Sequence, residues 1–326
     1  MVELHLIHKA HTMEPTRKGF GRGLVEAAKR WPNVVGLCAD LTESTQMHMF
    51  AEAFPERFVE VGVAEQNLVT VGTGLAAMGK IPFVSSYAAF SPGRNWEQIR
   101  TTICLNDRPV KIIGSHAGLY TGKDGATHQM LEDLALMRAL PNMVVLAPGD
   151  SLEATRATLA MAADKRPNYM RLAREATPVI TTELTPFEIG QAYVYSQGAD
   201  ITIAATGTMT YQAMMAAEAL AKKGIHCEIL HVPSIKPLDT QTILKSAAKT
   251  RHVVIAEEGQ INGGLGGAIA ELLGEQLPTP LVRVGMRDRF GESGEPGELI
   301  EYFGLSSKHI ALAAEHLLMD HSKHKH

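Results

Sequence analysis

Short apolar segments alternate with longer stretches of mixed hydrophobic and polar positions along most of the chain. In the first half, the apolar segments predict strands at residues 34–37, 58–61, 82–85, 110–114, 143–146 and 169–172. The stretches between them predict helices at residues 65–78, 96–105, 129–140 and 151–163. Because apolar strands that alternate with helices are typical of parallel sheets, the pattern predicts an α/β domain with helices on both faces of its sheet.

A second, smaller α/β domain is predicted after a segment that has no helical period. This segment, TPVITTELTPFE at residues 177–188, holds two prolines and four threonines and is interpreted as an interdomain linker. After it the alternation resumes, with a predicted helix at 209–222 and predicted strands at residues 201–204, 227–232, 252–256 and 281–284. The predicted domains are therefore 1–180 and 190–320.

The composition narrows the class of protein. The chain of 326 residues is 45% hydrophobic and 20% charged, with a formal net charge of −4, as in soluble globular proteins without a basic surface for nucleic acid. It has neither the apolar core of a signal peptide nor an apolar stretch of about 18 residues, so we expect no membrane span. Cys38, Cys104 and Cys227 are odd in number and far apart, which argues against disulfides or zinc and indicates a reducing cytoplasm.

Histidines cluster at both ends of the chain. We interpret the C-terminal HSKHKH, residues 321–326, as a disordered end or a cloning remnant rather than a metal site, and treat the histidines near the N-terminus in the same way.

The turn VEVGVAEQN, residues 59–67, carries the first candidate for chemistry. Ligands of open α/β sheets bind beyond the carboxyl ends of the strands, and Glu65 lies where such a strand gives way to a helix. A glutamate in the first helical turn can simply stabilise the helix dipole. Here the following helix is almost free of charge, which predicts burial, and a buried carboxylate needs a partner. A nitrogen atom of a ligand could be that partner.

Two further turns are unusually polar. The long loop GSHAGLYTGKDGATHQ, residues 114–129, holds His116, Asp124 and His128, and long loops are often functional. In VSSYAAFSPGRNW, residues 84–96, Tyr87 and Phe90 lie just past a strand, where they could stack on a flat ring or pack in the core.

Two weaker motifs complete the set. GGLGG, residues 263–267, lacks the spacing of a nucleotide loop and predicts a flexible turn that opens a helix. In MRLARE, residues 170–175, Arg174 follows a strand and is either a solvated charge or a phosphate ligand.

These turns, in this order, resemble the transketolase family of thiamine enzymes over nearly the whole chain. VGVAEQN is similar to the family's pyrimidine-domain glutamate motif, and DGATHQ to its D-G-x-T-H-Q signature. TRKGF, residues 16–20, and CADLTEST, residues 38–45, resemble the entry into the same domain, and the segment from 199 resembles the family's C-terminal domain. The G-D-G of the diphosphate domain is absent from these residues, so the resemblance is to the second half alone, as in two-chain transketolases. The initial methionine and the full C-terminal domain favour a natural subunit over a truncation.

The resemblance implies a pyrimidine-binding domain followed by a transketolase C-terminal domain, with thiamine diphosphate as the cofactor. Glu65 would bond the N1′ nitrogen of the aminopyrimidine, while Tyr87 and Phe90 would stack on the ring. The diphosphate and Mg²⁺ would be held by an N-terminal partner subunit, and this chain itself would contribute no metal ligands. A homodimer of this chain, flanked by two partners in a heterotetramer, is the expected assembly.

The implied reaction moves a two-carbon ketol unit from a ketose phosphate to an aldose phosphate, as between sedoheptulose 7-phosphate and glyceraldehyde 3-phosphate in the pentose phosphate pathway. The resemblance makes His128 a catalytic residue that contacts the donor hydroxyls. It assigns the rest of the sugar and its phosphate to His116, Asp124, Arg17, Ser44 and Arg174. The chain departs from the family pattern at Lys123, Ala126 and Gly93, where glutamate, proline and an aromatic residue are common.

Three alternatives stay open. The β-subunit of a 2-oxo acid dehydrogenase has the same two-domain layout but generally lacks the T-H-Q string. A 1-deoxyxylulose-5-phosphate synthase has a related string but is usually one long chain. A non-catalytic structural subunit would be expected to have lost residues such as Glu65, Asp124 and His128, all of which are present.

Overall fold

The computed structural model describes residues 2, 4 and 12–323, with side chains as far as Met319. Its strands are β1 (Met13–Glu14), β2 (Val34–Cys38), β3 (Phe58–Glu60), β4 (Ile81–Tyr87), β5 (Lys111–Ser115), β6 (Val144–Leu146), β7 (Asn168–Arg171), β8 (Thr177–Pro178), β9 (Tyr193–Ser196), β10 (Ile201–Ala205), β11 (Cys227–His231), β12 (Ser234–Lys236), β13 (Val253–Gln260) and β14 (Leu281–Met286). The interpretation of the C-terminal tail as a disordered end is wrong for residues 321–323, which are helical. The rest of that tail and the N-terminal histidines lie outside the described residues.

The α-helices are α1 (Thr16–Arg30), α2 (His48–Ala53), α3 (Glu65–Ala77), α4 (Trp96–Gln98), α5 (Asp133–Arg138), α6 (Ser151–Ala163), α7 (Met209–Ala221), α8 (Thr240–Thr250), α9 (Leu265–Gln276), α10 (Pro296–Tyr302) and α11 (Ser307–Lys323). Short 3₁₀ segments lie at Pro55–Arg57 and Leu119–Asp124, and a π-helical segment, Ile99–Cys104, continues α4. No helix in the described part of the chain has both the length and the apolar character needed to cross a bilayer.

The first unit is built on a seven-stranded sheet in the order β12-β6-β7-β5-β4-β2-β3. Its strand pairs are parallel except for β12 against β6. Phe83 of β4 packs with Phe20 of α1 on one face, while its neighbour Val84 packs with Leu68 of α3 on the other. Because successive strand residues point to opposite faces, this arrangement confirms a parallel α/β sheet covered by helices on both sides.

The second unit has a five-stranded sheet in the order β14-β13-β10-β11-β9, with only the edge strand β9 antiparallel. Ile203 of β10 packs with Met209 of α7, and Ala204 packs in the opposite cluster with Ile243 of α8 and Ile269 of α9. The predicted smaller α/β unit is therefore confirmed, while the boundaries 1–180 and 190–320 stay a prediction.

The segment predicted as a linker is a packed connection. It begins as β8, which pairs with β1, and it is then held by the Asp150 carboxylate, which accepts the backbone N–H groups of Ile180 and Thr181. The same carboxylate caps α6 by accepting the N–H of Glu153. One buried charge thus fixes both a helix start and the chain between the two units.

The loop after β5 is longer than predicted, and this shifts the next helix. A helix was predicted at 129–140, but α5 covers only Asp133–Arg138, and residues 116–132 form the loop with its 3₁₀ segment. Gly118, Gly122 and Gly125 have φ between +72° and +77°, which keeps the loop itself irregular. Met130 forms a bridge with Ala117 and its backbone oxygen accepts the N–H of Gly118, so the helix begins only after it. The predicted helix 96–105 is likewise α-helical only at Trp96–Gln98 and π-helical beyond.

Candidate active site

The candidate residues gather at the carboxyl ends of the parallel strands. The register places Tyr87, the last residue of β4, opposite Ser115, the last residue of β5. Gly114 of β5 pairs in turn with Arg171 at the end of β7. Because β4, β5 and β7 are parallel, the residues that follow them share one edge of the sheet, as expected for an α/β ligand site.

Glu65 is buried at the start of α3, with 1% of its surface exposed. Its Oε1 accepts a hydrogen bond from Ser86 Oγ at 3.3 Å, and its Oε2 accepts one from the Arg94 guanidinium at 2.7 Å. Asn95 Nδ2 donates to its backbone oxygen at 2.8 Å. The sequence correctly predicted a buried carboxylate that needs a partner, and within this chain that partner is Arg94.

Four rings from two loops form an aromatic cluster beside Glu65. The Tyr87 and Phe90 rings stack with centroids 5.9 Å apart, and the His116 ring stacks on Tyr87 at 3.8 Å. His128 meets both aromatic rings edge-on, at 6.1 Å from Tyr87 and 5.4 Å from Phe90. Tyr87, Phe90 and His128 are half-buried, so their rings are accessible rather than sealed in the core.

His116 is held as a neutral ring. Burial, followed by the nearby cations Arg17 and Arg174 and by His128, lowers its pKa to about 3. Its Nδ1 lies 2.9 Å from Ser115 Oγ, and its backbone has a φ of 57°. At neutral pH the ring can exchange hydrogen bonds with a ligand but carries no charge of its own.

Arg17, Ser44, Arg174 and Asp124 form a polar group next to the rings. The Arg17 guanidinium donates to the backbone oxygens of Ser44 and Arg174, so Ser44 contacts it through the main chain rather than the hydroxyl. Arg174 donates to the backbone oxygen of Thr121 at 2.9 Å and pairs with Asp124 at 3.3 Å. Burial, followed by repulsion from Arg174, lowers the pKa of Arg17, so this edge of the site concentrates positive charge.

The structure therefore brings together all nine residues that the sequence singled out. Glu65 is joined to the rings through Ser86, which bonds it and directly precedes Tyr87. The polar group is joined to the rings because the charges of Arg17 and Arg174 lower the pKa of His116. The roles of these residues stay predictions. Within the described residues, no group of three or more histidine, cysteine, aspartate or glutamate side chains is arranged to hold a metal ion.

Sequence reasoning missed three residues that surround Glu65, namely Ser86, Arg94 and Asn95. All three lie in the turn VSSYAAFSPGRNW, beside Tyr87 and Phe90. A signal was available, because a buried carboxylate predicts a cation or a donor close by.

The structure accommodates two departures from the family pattern. A side chain at Gly93 would place its Cβ 2.1 Å from the backbone oxygen of Ala89, so this turn admits no aromatic residue. Lys123 is exposed and pairs with Glu295.

Comparison with known proteins decides the family. The transketolase pyrimidine binding domain matches residues 13–179, and the transketolase C-terminal domain matches residues 190–310. The chain belongs to the transketolase family. A split-gene transketolase, solved as an inactive β4 tetramer, superposes with a TM-score of 0.88 and 44% identity, over 94% of this chain and 98% of that chain.

Other relatives differ in length and in the activity that their names give. A protein of Methanocaldococcus jannaschii that is named as a transketolase C-terminal section is 45% identical, over 95% of this chain and 97% of its own length. The 6-deoxy-6-sulfo-D-fructose transketolase subunit SqwH of a Clostridium species is 43% identical, over 89% of this chain and 90% of its own length. The 1-deoxy-D-xylulose-5-phosphate synthase of Syntrophus aciditrophicus is 35% identical, but this chain spans 46% of it.

Proposed function

We propose that this chain is the C-terminal subunit of a two-chain transketolase, which transfers a two-carbon ketol unit from a ketose phosphate to an aldose phosphate. The observation that carries the proposal is the buried Glu65 carboxylate, adjoining the half-exposed Tyr87 and Phe90 rings at the carboxyl edge of a parallel sheet. Membership of the transketolase family supports thiamine diphosphate as the cofactor.

The residues present fit the aminopyrimidine end of that cofactor. A flat, nitrogen-containing ring can use a carboxyl group for its nitrogen and an aromatic surface for its face. Glu65 is connected to the two rings through Ser86, which precedes Tyr87, and through Arg94, which lies over Phe90. The amide oxygen of the buried Asn95 has no hydrogen-bond partner among the described residues, which leaves an acceptor beside Glu65. When bound, thiamine diphosphate supplies a carbanion and an electron sink. The part of Glu65 is to hold a proton at the ring nitrogen.

The diphosphate end and Mg²⁺ are assigned to a separate partner chain. The sequence has no G-D-G string. The relative of matching length that is named as a subunit, and the split-gene relative that is inactive as a β4 tetramer, support an enzyme made of two kinds of chain. A pair of these chains flanked by two partners, located in the cytoplasm, remains the proposed assembly.

The polar group next to the rings is proposed to bind the sugar phosphate. Arg17 and Arg174 supply two guanidinium groups, whose planar forks suit a phosphate. Ser44 would add a polar contact, and the neutral His116 would donate to or accept from the sugar. His128, half-buried between the rings and solvent, is proposed to contact the donor hydroxyls near the reacting carbon, and Asp124 a hydroxyl further along.

A second candidate differs only in the anionic end of the donor. The relative that is named for 6-deoxy-6-sulfo-D-fructose is 43% identical to this chain, and paired guanidinium groups bind a sulfonate as well as a phosphate. The same transfer from a sulfonated ketose is therefore the alternative reaction.

The test is an assay of this chain co-expressed with a partner that carries the diphosphate-binding domain, in the presence of thiamine diphosphate and Mg²⁺. We expect ketol transfer from xylulose 5-phosphate or from 6-deoxy-6-sulfo-D-fructose, and the more efficient donor identifies the reaction. Glu65→Ala is expected to lower the rate by about 10²–10⁴. Glu97→Ala, which changes an exposed glutamate of α4, serves as the matched control.

Three outcomes would contradict the proposal. Unchanged activity of Glu65→Ala would reject its role. Condensation of pyruvate with glyceraldehyde 3-phosphate, without ketol transfer, would indicate a 1-deoxyxylulose-5-phosphate synthase. Failure of every donor in a complex that forms normally would favour a structural subunit.

A further inference from the structure

We propose that Arg94 is a displaceable cap on Glu65, which covers and neutralises the carboxylate and has to swing away before a ligand nitrogen can reach it. This inference rests on the proposed cofactor site.

Glu65 is closed to solvent. Only 1% of its surface is exposed, although it lies at the mouth of a helix on the ligand-binding edge of the sheet. A group that binds a ligand cannot stay at this exposure, so one of its neighbours has to move.

Of the three side chains that contact Glu65, Arg94 is the one that can move. Ser86 belongs to β4 and Asn95 lies under the turn before α4, and both are fully buried. Arg94 is the exception, because half of its side chain, 51%, is exposed while its guanidinium touches the carboxylate at 2.7 Å. A long side chain anchored at its tip and solvated along its length can leave without disturbing the sheet or α3.

Arg94 makes two contacts of the kind that the aminopyrimidine ring would make. Its planar guanidinium donates a hydrogen bond to Glu65 Oε2, and its central carbon lies 4.9 Å from the centre of the Phe90 ring. A flat ring that bonds Glu65 and stacks on Phe90 therefore competes with Arg94 for the same partners. The departing guanidinium regains full hydration, so the exchange replaces one set of contacts with another.

The cap can be tested by chemical labelling of the full chain with a water-soluble carbodiimide and an amine, followed by peptide mass spectrometry. In the wild type we expect Glu65 to react at least about tenfold more slowly than the exposed Glu43. Arg94→Ala should raise the labelling of Glu65 by about tenfold. Arg100→Ala, which removes an exposed arginine from the same segment, should leave it unchanged.

The buried Glu153, which lies in the contact between the two units, reports on folding in the same experiment. Protection of both Glu65 and Glu153 in Arg94→Ala would overturn the cap. If Arg94→Ala exposes Glu153 as well, Arg94→Lys takes its place, since it keeps the charge but cannot lie flat on Phe90. We then expect a several-fold rise in Glu65 labelling, and no rise would overturn the proposal.

Thiamine diphosphate binding to the two-chain complex tests the displacement. Trp96 lies two residues from Arg94, and in a Trp31→Phe background it is this chain's sole tryptophan reporter. We expect Arg94→Ala to lower the dissociation constant roughly tenfold, because the ligand no longer has to displace the guanidinium. Equal or weaker binding would mean that Arg94 does not compete with the ligand, and would overturn the displacement. Absence of binding by both the wild type and the variant would contradict the proposed cofactor site, and the labelling result would then decide the cap alone.

Discussion

At the scale of single residues, the site is organised around charges that the protein itself compensates. Glu65 is an acidic residue in the first turn of α3, where the helix dipole favours it, yet its burial requires more than the dipole. Arg94 and Ser86 supply the hydrogen bonds, and Arg94 the positive charge, that the buried carboxylate needs. Burial of this carboxylate is therefore offset by partners from the turn after β4 and by a strand residue.

This balance makes the stability of the chain insensitive to Glu65. Glu65→Gln removes a buried charge and returns Arg94 to water, so we expect the free energy of unfolding to change by less than about 1 kcal/mol. Arg94→Ala removes the cation from a carboxylate that water then reaches only in part, and should cost about 1–2 kcal/mol, less than for a fully buried pair because Arg94 is half-exposed. Urea denaturation of both variants measures these values, and a larger loss for Glu65→Gln than for Arg94→Ala would contradict the account.

His116 makes stability depend on pH. Its pKa is about 3 in the folded chain, against 6.5 for an ordinary histidine, so between pH 6.5 and pH 3 the unfolded chain binds a proton that the folded chain does not. Stability from this group is therefore complete above pH 6.5 and is lost as the pH falls. Between pH 7.5 and pH 5 the free energy of unfolding should fall in both proteins. We expect the fall in His116→Asn, measured by urea denaturation, to be about 1–2 kcal/mol smaller than in the wild type. Equal losses in the two proteins would contradict the assignment.

At the scale of elements, glycines mark where helices and side chains approach closely. Gly19 of α1 lies against α6, where an added Cβ would come 1.8 Å from the Ser151 backbone oxygen.

Glu257 accepts the N–H groups of Leu265 and Gly266 at the start of α9, in the GGLGG motif. That motif therefore opens a helix, as predicted, and its anion-binding helix terminus holds a carboxylate of the chain itself.

Two glycine substitutions should have opposite effects. Gly19→Ala forces α1 away from α6 and should destabilise the chain by about 2–3 kcal/mol. Gly74 lies on the exposed side of the last turn of α3 with nothing within 4 Å of an added Cβ, so Gly74→Ala should stabilise the helix by about 0.5–1 kcal/mol. Thermal unfolding of the pair provides the comparison, and a shift of the same sign for both would refute the packing argument.

The sequence predicted most of the two sheets because their strands are short apolar runs. It did not predict α1, whose glycines and charges TRKGFGRG obscure a helical period and are explained only by contact with α6. It placed the helix after the long loop four residues too early, since the bridge between Ala117 and Met130 is a tertiary contact that is not visible in a periodicity. It identified Glu65 and the rings but missed Arg94, because pairing between a helix start and a distant turn depends on tertiary packing.

At the scale of the whole molecule, a buried network of charges joins the two units. Arg171 at the end of β7 pairs with Asp133 at 3.3 Å and donates to the backbone oxygen of Glu258 at 2.9 Å. Asp133 also accepts the Tyr169 hydroxyl, and the Glu258 carboxylate accepts the N–H of Tyr120. Strand β12 of the second half of the chain completes the edge of the first sheet. These contacts predict that the units unfold together.

Removal of Arg171 tests this coupling. Arg171→Met leaves the fully buried Asp133 without its cation and should cost about 3–5 kcal/mol. Adding Asp133→Asn should restore a substantial part of the loss, because no uncompensated charge then remains. Guanidinium denaturation followed by both fluorescence and circular dichroism is the measurement, and independence of the two substitutions would refute the network.

We propose that this chain contributes the carboxyl group that activates a cofactor anchored by another polypeptide. The most direct measurement is the exchange of the C2 proton of thiamine diphosphate with deuterium, followed by NMR in the two-chain complex. We expect Glu65→Gln to lower the rate of this exchange by a factor of about 10²–10⁴, whereas Glu97→Gln should leave the rate unchanged. Exchange at the wild-type rate in Glu65→Gln, with the cofactor bound, would contradict it.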